Sequence, residues 1–409
     1  MSASTCRFCA AELRTVVADL GMSPPSNALI DPMRGAQPEM FYPLRLYVCE
    51  RCWLVQLEQF QSPAEIFSAD YAYFSSYSTT WLAHVDAFAA DAIARFGLGG
   101  DSLVVEVASN DGYLLKGFQA RGVPVLGIEP ARNVADAAIA AGIPTVVEFL
   151  TRTTGAALAE GGQSGDLVVG NNVLAHVPDL NDFVAGLAGL VKPAGVLTLE
   201  FPHVLRMVER SEFDTIYHEH FSYFSLASAT AVLEACGLYV VDVDELPTHG
   251  GSLRVFARRT QSAPSAAVDR VLNAERAAAL TSVQGYAGLQ KSAEAVKMAL
   301  LEFLIRCKRD GLTVVGYGAP AKATTMLNYC GIRTDFLPYT VDRSLHKQGK
   351  LIPGVRIPID SPERIARTRP DYVLILPWNI KDEVTQQMAA IKDWGGRFVV
   401  AVPKLTVLP

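Results

Sequence analysis

One segment of the sequence, YHEHFSYF at residues 217–224, concentrates groups that can move protons. The chain has 7 histidines in 409 residues, and two of them flank a single glutamate here. A carboxylate beside an imidazole can fix the imidazole tautomer and raise its basicity, as a general base requires. A tyrosine hydroxyl nearby can donate to negative charge that develops on a carbonyl oxygen. The segment therefore has a candidate base, a group that can orient it and an oxyanion donor.

We predict that His220 is the base, that Glu219 orients it and that Tyr217 donates to the oxyanion. His218 and His176 are the alternative bases, because the sequence does not decide which imidazole faces the substrate. Neighbouring residues of a strand point to opposite faces, so the hypothesis requires a loop at this segment. The other interpretation is an aromatic cluster whose histidines only satisfy their hydrogen bonds, since a metal site would need a third ligand.

Two CxxC pairs form a second set of reactive groups, Cys6 with Cys9 and Cys49 with Cys52. Each pair can present two thiolates from one turn, and four thiolates complete the tetrahedral shell of a structural zinc ion. Such a closed site leaves no position for a substrate, so we predict that it stabilises a small N-terminal module. The alternative is four buried cysteines without metal, because the segment between the pairs is longer than in a short zinc ribbon.

A polar turn, SNDG at residues 109–112, follows an apolar strand pattern and precedes a helical one. Ligands of open α/β sheets bind at such strand ends. Of the GxGxxG pattern that cradles a pyrophosphate only Gly112 is present, and the acid Asp111 disfavours phosphate. A sulfonium cofactor fits better, so we predict S-adenosylmethionine, with Asn110 and Asp111 at its amino-acid end. Glu129 ends the next strand and can accept hydrogen bonds from both ribose hydroxyls. The alternative is a tight turn without a ligand.

The elements that would position these groups read as two α/β series. Buried strand patterns cover residues 103–108, 123–129, 166–172, 195–201 and 252–259, and they predict a doubly wound sheet, parallel for most of its width. Residues 265–308 have the composition and spacing of a helix that joins two domains. The segments LTVVGYG, FLPYTVD, YVLILP and RFVVAV then predict a second, smaller α/β unit.

Composition excludes several function classes. With 36 basic and 42 acidic residues the net charge is -6, and no basic run is interleaved with aromatic residues, so we expect no nucleic-acid partner. The chain lacks an apolar run near the ~18 residues that span a membrane and begins without a signal-peptide pattern, so we expect no membrane association and a cytoplasmic protein. In that compartment the 7 cysteines are ligands or buried groups, not disulfides.

Several motifs occur in one order along nearly the whole chain: the cysteine pairs, EVASNDGYLL, GIEPARNVA, NNVLAHVPD, YHEHFSYFS, THGGSLR and GYGAPAKATT. With them the sequence resembles the nucleotide-sugar C-methyltransferases of deoxysugar pathways. The resemblance implies a zinc-binding module at residues 1–66, a central class I S-adenosylmethionine methyltransferase domain with a Rossmann-like fold at 67–262, and a C-terminal Rossmann-like domain at 263–409. The last would contribute to the nucleotide-sugar site.

The resemblance also implies site residues beyond those above. The polar strand end at Asn171 and Asn172 would lie beside the methyl donor, although these side chains could instead cap a turn. Ala108 stands where a glycine is frequent in such proteins, and we expect a slight effect. The cofactor set is Glu106, Ala108, Asn110, Asp111, Gly112, Glu129, Pro130, Asn171 and Asn172. The substrate set is Tyr71, Tyr73, Phe74, Ser76, Tyr77, His218, His249, Ser252, Arg254, Lys322 and Lys347.

The substrate set has other interpretations. The aromatic residues near 71–77 could be a linker that packs between domains, and the glycines of THGGSLR could form only a tight turn. Exposed lysines are usually solvated, and the GxG at Gly316 to Gly318 is by itself a weak dinucleotide pattern. Lys322 and Lys347 would suit the diphosphate of a nucleotide-sugar.

The sequence thus predicts a methyltransferase that transfers a methyl group to carbon, C-3 in preference to C-5, beside the 4-keto group of a TDP-linked deoxysugar. Removing the adjacent proton gives an enolate, which can attack the methyl group. One alternative is methylation of another small-molecule carbon or oxygen. The other is a nucleotide-binding module without catalysis.

Overall fold

The computed structural model describes residues 4–66 and 75–408. These residues form two units, each assembled from separate stretches of chain. Unit 1 comprises the described parts of residues 1–15, 48–205 and 220–283, and unit 2 comprises residues 16–47, 206–219 and the described part of 284–409. Consequently, the chain passes from unit 2 to unit 1 inside the segment YHEHFSYF, between Glu219 and His220.

The strands and helices alternate along most of the chain. The strands are β1 (Thr15–Ser23), β2 (Tyr42–Val48), β3 (Val55–Leu57), β4 (Val104–Val107), β5 (Val125–Ile128), β6 (Thr145–Val146), β7 (Gly165–Asn171), β8 (Val191–Pro202), β9 (Ser222–Tyr223), β10 (Tyr239–Leu246), β11 (Ser252–Arg258), β12 (Val314–Tyr317), β13 (Thr340–Val341), β14 (Ile359–Asp360), β15 (Tyr372–Ile375), β16 (Arg397–Val400) and β17 (Thr406–Val407). The helices are α1 (Pro63–Ile66), α2 (Thr79–Phe96), α3 (Leu115–Gln119), α4 (Arg132–Ala140), α5 (Arg152–Glu160), α6 (Leu180–Leu190), α7 (Val204–Glu209), α8 (Leu226–Glu234), α9 (Ala266–Ala277), α10 (Leu289–Arg309), α11 (Ala321–Cys330), α12 (Glu363–Thr368) and α13 (Lys381–Gln387).

A seven-stranded sheet, counted over the described residues, forms the centre of unit 1, with strand order β10-β11-β8-β7-β4-β5-β6. The strands from β8 to β6 run parallel, while β11 is antiparallel to both β8 and β10. Every residue of β4 and β5 is buried, as expected for strands covered on both faces. The predicted sheet, parallel for most of its width, is confirmed. A separate short ladder in unit 1 pairs β3 with β9.

Helix α2 packs against one side of this sheet, and its sequence defines where it begins and ends. The Ser78 hydroxyl accepts a hydrogen bond from the Trp81 N–H at its start, and Gly97 ends it in the left-handed conformation. Its buried face, which includes Phe88, packs in one apolar cluster with Phe118 from α3 and Val104 from β4. The helix therefore holds the first strands of the sheet from one side.

Unit 2 contains a six-stranded sheet, again counted over the described residues, with strand order β14-β13-β12-β15-β16-β17. The strands from β14 to β16 are parallel, and β17 is antiparallel to β16. This order corresponds to the 3-2-1-4-5-6 arrangement of a Rossmann fold. The predicted second α/β unit is confirmed. The sequence patterns did not predict its short strands β14 and β17.

The helix predicted for residues 265–308 is two helices. Helix α9 ends at Ala277 in unit 1 and α10 begins at Leu289 in unit 2. Ala279 adopts a left-handed φ of 57° just beyond α9, which breaks the helical path. The alanine-rich composition concealed the break, although Thr281 and Gly288 were local signals for it. No described helix is both long and apolar enough to span a membrane.

Helices α5 and α6 approach each other closely enough to generate a stability prediction. A Cβ at Gly186 would lie 2.5 Å from the Thr151 carbonyl oxygen, whereas a Cβ at Gly189 meets nothing nearer than 3.7 Å. Gly186→Ala should therefore lower the free energy of unfolding by about 1–3 kcal/mol, because backbone atoms cannot move aside. Gly189→Ala, in the same helix, should leave it unchanged or raise it by up to ~1 kcal/mol. Urea denaturation of both variants measures the difference, and equal effects would contradict the close approach.

Candidate functional site

The four predicted zinc ligands meet in unit 1. The sulfur atoms of Cys6, Cys9, Cys49 and Cys52 all lie within 4.8 Å of one another. The Cys6–Cys52 and Cys9–Cys49 sulfur pairs are each 3.5 Å apart, close to the about 3.8 Å edge of a tetrahedron with zinc at its centre. All seven cysteines of the chain are free of disulfides. The donor set fits a structural zinc ion.

The turn after β4 is built from left-handed residues. Ala108, Asn110 and Gly112 have φ values of 56°, 50° and 74°. A Cβ at Gly112 would lie 2.8 Å from Ile143 Cγ1, so glycine is required there for space as well as conformation. Ala108 adopts a conformation that glycine adopts without strain, which explains why a glycine is frequent at this position. The turn brings backbone close to the carboxyl edge of the sheet.

Three acids lie at this edge in a buried group: Glu106, Asp111 and Glu129. The two oxygens of Glu129 accept hydrogen bonds from the N–H groups of Asn110, at 2.9 Å, and Ala131, at 2.8 Å. Burial raises the pKa of Glu129 to about 7, with a further contribution from Asp111. Burial likewise raises the pKa of Glu106 well above its usual range. A cationic ligand would favour the ionised forms of these groups.

Several buried polar atoms at the same edge have no hydrogen-bond partner within the described ranges. They are the Ser109 hydroxyl, Asp111 Oδ1, both amide atoms of Asn171 and Asn172 Oδ1. Buried polar groups are normally paired, so such a concentration indicates a ligand that would pair them. Acceptors and a hydroxyl beside the Glu129 carboxylate suit the amino group, the ribose hydroxyls and the sulfonium of S-adenosylmethionine. The predicted cofactor therefore fits this edge.

The remaining cofactor residues have identifiable surroundings. The Asn110 side-chain oxygen accepts a hydrogen bond of 2.8 Å from the Ser75 N–H, so it ties the turn to the chain before α2. Pro130 follows Glu129 and is half-buried. The Asn172 N–H donates to the Glu200 carbonyl at 2.7 Å, and Asn172 itself has a left-handed φ of 53°.

Two of the predicted bases, His176 and His220, meet in unit 1. Their ring centroids are 4.6 Å apart at an angle of 68°, and the His220 ring lies 5.9 Å from the ring of Tyr223. His176 ends a short 3-10 turn (Leu174–His176) after β7, and His220 lies in an irregular segment before β9. The predicted loop at this segment is confirmed. Both histidines are half-buried, so each retains access to solvent or a ligand.

The neighbours of His220 on its N-terminal side belong to unit 2. Glu219 accepts hydrogen bonds from the Asn27 backbone N–H, at 3.1 Å, and from the Asn27 side chain. Burial raises the pKa of Glu219 to about 7. His218 is buried against Tyr42 and makes a 3.2 Å contact from Nε2 to the Pro43 carbonyl, and burial lowers its pKa. Tyr217 is half-buried.

The THGGSLR segment forms the 3-10 turn Thr248–Gly250 and the start of β11 in unit 1. His249, at a left-handed φ of 54°, has Nε2 at 3.3 Å from Asn172 Nδ2. The ring of Trp81 lies 5.3 Å from the His249 ring. The Ser252 hydroxyl donates to the Thr248 carbonyl at 3.0 Å, within the turn itself. Asn172 of the predicted cofactor set therefore lies beside His249 of the predicted substrate set.

A buried network holds the last of these residues, Arg254, and the sequence analysis did not identify its other members. The Arg254 guanidinium forms an ion pair with Glu200, which also lies 3.0 Å from His84 Nε2 and accepts from the Thr248 hydroxyl at 2.9 Å. The Arg254 guanidinium carbon lies 3.9 Å from the ring centre of Phe88. The available signal was an acid inside the apolar strand pattern GVLTLEF.

The two predicted lysines lie in unit 2 with internal partners. Lys322 Nζ donates to Asn379 at 2.9 Å and lies 4.2 Å from the ring centre of Trp378, whose Nε1 donates to Asp214 at 2.8 Å. Burial raises the pKa of Glu212 to about 8 and that of Asp214 to about 6, and Lys322 opposes both shifts. Lys322 thus neighbours acids that balance its charge.

Lys347 lies near the GYG turn of unit 2. Its Nζ donates to the Ala319 carbonyl at 3.0 Å and is 3.8 Å from Asp342 Oδ2. Of the aromatic segment, Tyr71, Tyr73 and Phe74 lie outside the described residues. Ser76 is exposed, and the backbone of Tyr77 belongs to the 3-10 turn Ser75–Tyr77.

Comparisons with known proteins match most of the chain. Three family models match in order: a zinc binding domain at residues 6–67, a methyltransferase domain at 81–243 and a C-methyltransferase C-terminal domain at 247–403. The sequence is 36% identical over 410 residues to the C-methyltransferase NovU of Streptomyces niveus, covering 98% of this chain and 96% of that protein. It is 29% identical over 99 residues to an uncharacterized methyltransferase of Mycobacterium leprae, a match that covers 24% of this chain and 36% of that protein.

Solved structures give partial matches. A magnesium protoporphyrin IX methyltransferase from Synechocystis, with bound SAM, matches with a TM-score of 0.34 and 19% identity over 44% of this chain and 79% of that one. A didemethyltoxoflavin N1-methyltransferase from Burkholderia thailandensis matches with a TM-score of 0.36 and 16% identity over 51% and 95%. At these scores the family assignment depends on the full-length relative.

The raised pKa of Glu129 predicts a pH dependence for S-adenosylmethionine binding. The free protein holds a proton on Glu129 below about pH 7, whereas ribose hydroxyls and a cation favour the carboxylate, so binding releases that proton. The dissociation constant should therefore rise as pH falls below 7, by up to about tenfold per unit. Calorimetry across this range measures the slope.

Glu129→Gln should flatten that dependence and weaken binding above pH 7, because the amide cannot accept from both backbone N–H groups. Glu148→Gln is the matched control, since Glu148 is exposed in the same unit, and should behave as the unchanged protein. Affinity that is independent of pH in the unchanged protein would contradict the assignment of Glu129.

Proposed function

The chain belongs to the family of S-adenosylmethionine-dependent C-methyltransferases, and we propose that its acceptor is the carbon beside the 4-keto group of a TDP-linked deoxysugar, C-3. The architecture agrees with the predicted class: a four-cysteine cluster, a class I methyltransferase sheet in unit 1 and a parallel Rossmann-like sheet in unit 2. S-adenosylmethionine and zinc are its cofactors. The nucleotide-sugar acceptor is supported by the order of sequence motifs.

The observation that carries the proposal is the contact of His176 and His220, whose ring centroids are 4.6 Å apart. Carbon becomes a nucleophile only after it loses a proton, and imidazole is the side chain best suited to take that proton near neutral pH. His176 also follows β7, a strand whose end contributes Asn171 and Asn172 to the polar edge. Bound S-adenosylmethionine supplies the methyl group to the resulting carbanion.

His220 removes the proton in this proposal, and His176, by contact with its ring, fixes its orientation. Tyr217 donates to the enolate oxygen. Glu219 directly precedes His220 in the sequence and has a pKa of about 7. When it is ionised, it adds a negative charge to this segment. His218 is the weaker candidate base, because burial lowers its pKa and its Nε2 faces the Pro43 carbonyl.

Unit 2 contains the two lysines that we propose for the diphosphate of the substrate. Both lysines have two acids nearby: Lys347 Nζ is 3.8 Å from Asp342 Oδ2 and also influences Glu219, and Lys322 is influenced by Asp214 and Glu212. Lys347 and Lys322 are therefore both candidates. In unit 1, His249 and Ser76 are the candidates for sugar contacts. A cytoplasmic location is also part of the proposal and rests on the free cysteines.

Labelled methyl transfer to a panel of TDP-4-keto sugars, read by mass spectrometry and NMR, tests the proposal. His220→Asn should reduce methyl transfer at least ~100-fold, because the general base is lost, while the dissociation constant of S-adenosylmethionine stays unchanged. His346→Asn, at an exposed histidine of unit 2, is the control and should keep full activity.

Near-normal turnover of His220→Asn would refute its role and make His176 or His218 the next candidates. Methylation of an oxygen, or of a compound without a ketone, would refute the acceptor. Tight S-adenosylmethionine binding with no methyl transfer to any acceptor would favour a binding module without catalysis.

A further inference from the structure

We propose that Arg7, between the zinc ligands Cys6 and Cys9, is a positioning residue that fixes the two histidine-bearing loops relative to each other. The zinc-binding module would then have a role in catalysis as well as in folding. The identity of the base in this inference rests on the proposed function. The contacts that Arg7 makes do not depend on that function.

The Arg7 side chain reaches two different segments of unit 1. Its Nη1 donates to the Pro178 carbonyl at 3.1 Å, and its Nη2 donates to the Leu57 carbonyl at 2.5 Å. Its guanidinium carbon lies 5.3 Å from the ring centre of Phe221. A planar guanidinium can hold two carbonyls and face a ring at the same time, which an ammonium group cannot do.

These contacts lie next to the histidine pair. Pro178 is two residues beyond His176, and Phe221 directly follows His220. The two rings are in contact at 4.6 Å between centroids. Arg7 is therefore bonded to one histidine loop and packed on the other, immediately beyond the point where the histidines meet.

The cysteine module has a second link to each of these loops. Toward the His176 loop, Asn181 Nδ2 donates to the Phe8 carbonyl at 3.0 Å, and Phe8 lies between the ligands Cys6 and Cys9. Toward the His220 segment, Gln56 of β3 pairs with Ser222 of β9, and the Leu57 N–H donates to the Phe221 carbonyl at 3.0 Å.

Gln56 completes the connection to the metal ligands. Its side chain accepts from the Arg7 N–H at 2.9 Å and donates to Cys6 Sγ at 3.2 Å. Gln56 is fully buried, so these bonds have no water to compete with them. The module thus holds Arg7 by its backbone while the Arg7 side chain holds the loops.

The position of a base relative to its substrate carbon affects the rate steeply, and a shift of about 1 Å can cost about 100-fold. Loss of Arg7 should therefore lower kcat, while the cofactor site at the ends of β4 and β5 is untouched. The zinc site should also persist, because the four sulfurs remain.

Arg7→Gln is the test, with Arg14→Gln as its matched control. Arg14 lies in the same module but is exposed and forms an ion pair with Glu12. In protein labelled at histidine Cε1, the His176 and His220 resonances should move in Arg7→Gln, and those of His84 and His203 should not. Resonances are assigned with His176→Gln and His220→Asn. Zinc content should stay at one per chain, and kcat should fall about 10- to 100-fold with the dissociation constant of S-adenosylmethionine unchanged.

Arg7→Lys is measured beside it, because it keeps the charge but donates from a single nitrogen instead of the separate Nη1 and Nη2 atoms. It should move the same two resonances by less and recover part of kcat. Unmoved His176 and His220 resonances in both variants, with kcat unchanged, would overturn the inference. The resonances report positioning even when no acceptor is methylated by the unchanged protein, so failure of the proposed substrate is distinguishable from failure of this inference.

Discussion

Four cysteine sulfurs within 4.8 Å of one another are the constraint on which the rest of the unit 1 site depends. Four thiolates this close repel one another, and a zinc ion between them would offset that repulsion and stabilise the module. The chain around these cysteines then makes the bonds to Pro178 and Leu57 that hold the loops of His176 and His220. A metal with no open coordination position can in this way determine the geometry of the histidine pair.

At the polar edge of the unit 1 sheet, buried carboxyl groups lie close together. Glu106 and Glu129 are buried together with Asp111, and in the absence of a cation they hold protons up to unusually high pH. Left-handed residues at Ala108 and Asn110 allow the turn after β4 to place Asp111 at the edge where Glu129 follows β5 and Asn171 ends β7. The resulting site favours a ligand that is cationic and rich in hydroxyls over one that carries phosphate.

Local patterns in the sequence were sufficient for much of this. Continuous apolar runs predicted β4, β5 and β7, because a buried strand is recognisable from neighbouring residues. The cysteine cluster was predictable because each CxxC pair lies on one turn and a structural zinc ion takes four ligands. The pairing of Asn27 with Glu219, across 192 positions, and of Glu200 with Arg254 could not be predicted, since such contacts depend on tertiary structure. The break after α9 was missed because alanine-rich sequence favours helix on both sides of it.

The most direct test of the account is exchange of the substrate proton in D2O. The unchanged protein would be incubated with a TDP-4-keto deoxysugar and S-adenosylhomocysteine, so that no methyl transfer can occur, and the sugar would be examined by NMR. The account predicts that deuterium enters at C-3, since base and ketone suffice to form the enolate. Absence of deuterium at C-3 under these conditions would contradict it, provided that the same sugar is methylated when S-adenosylmethionine replaces S-adenosylhomocysteine.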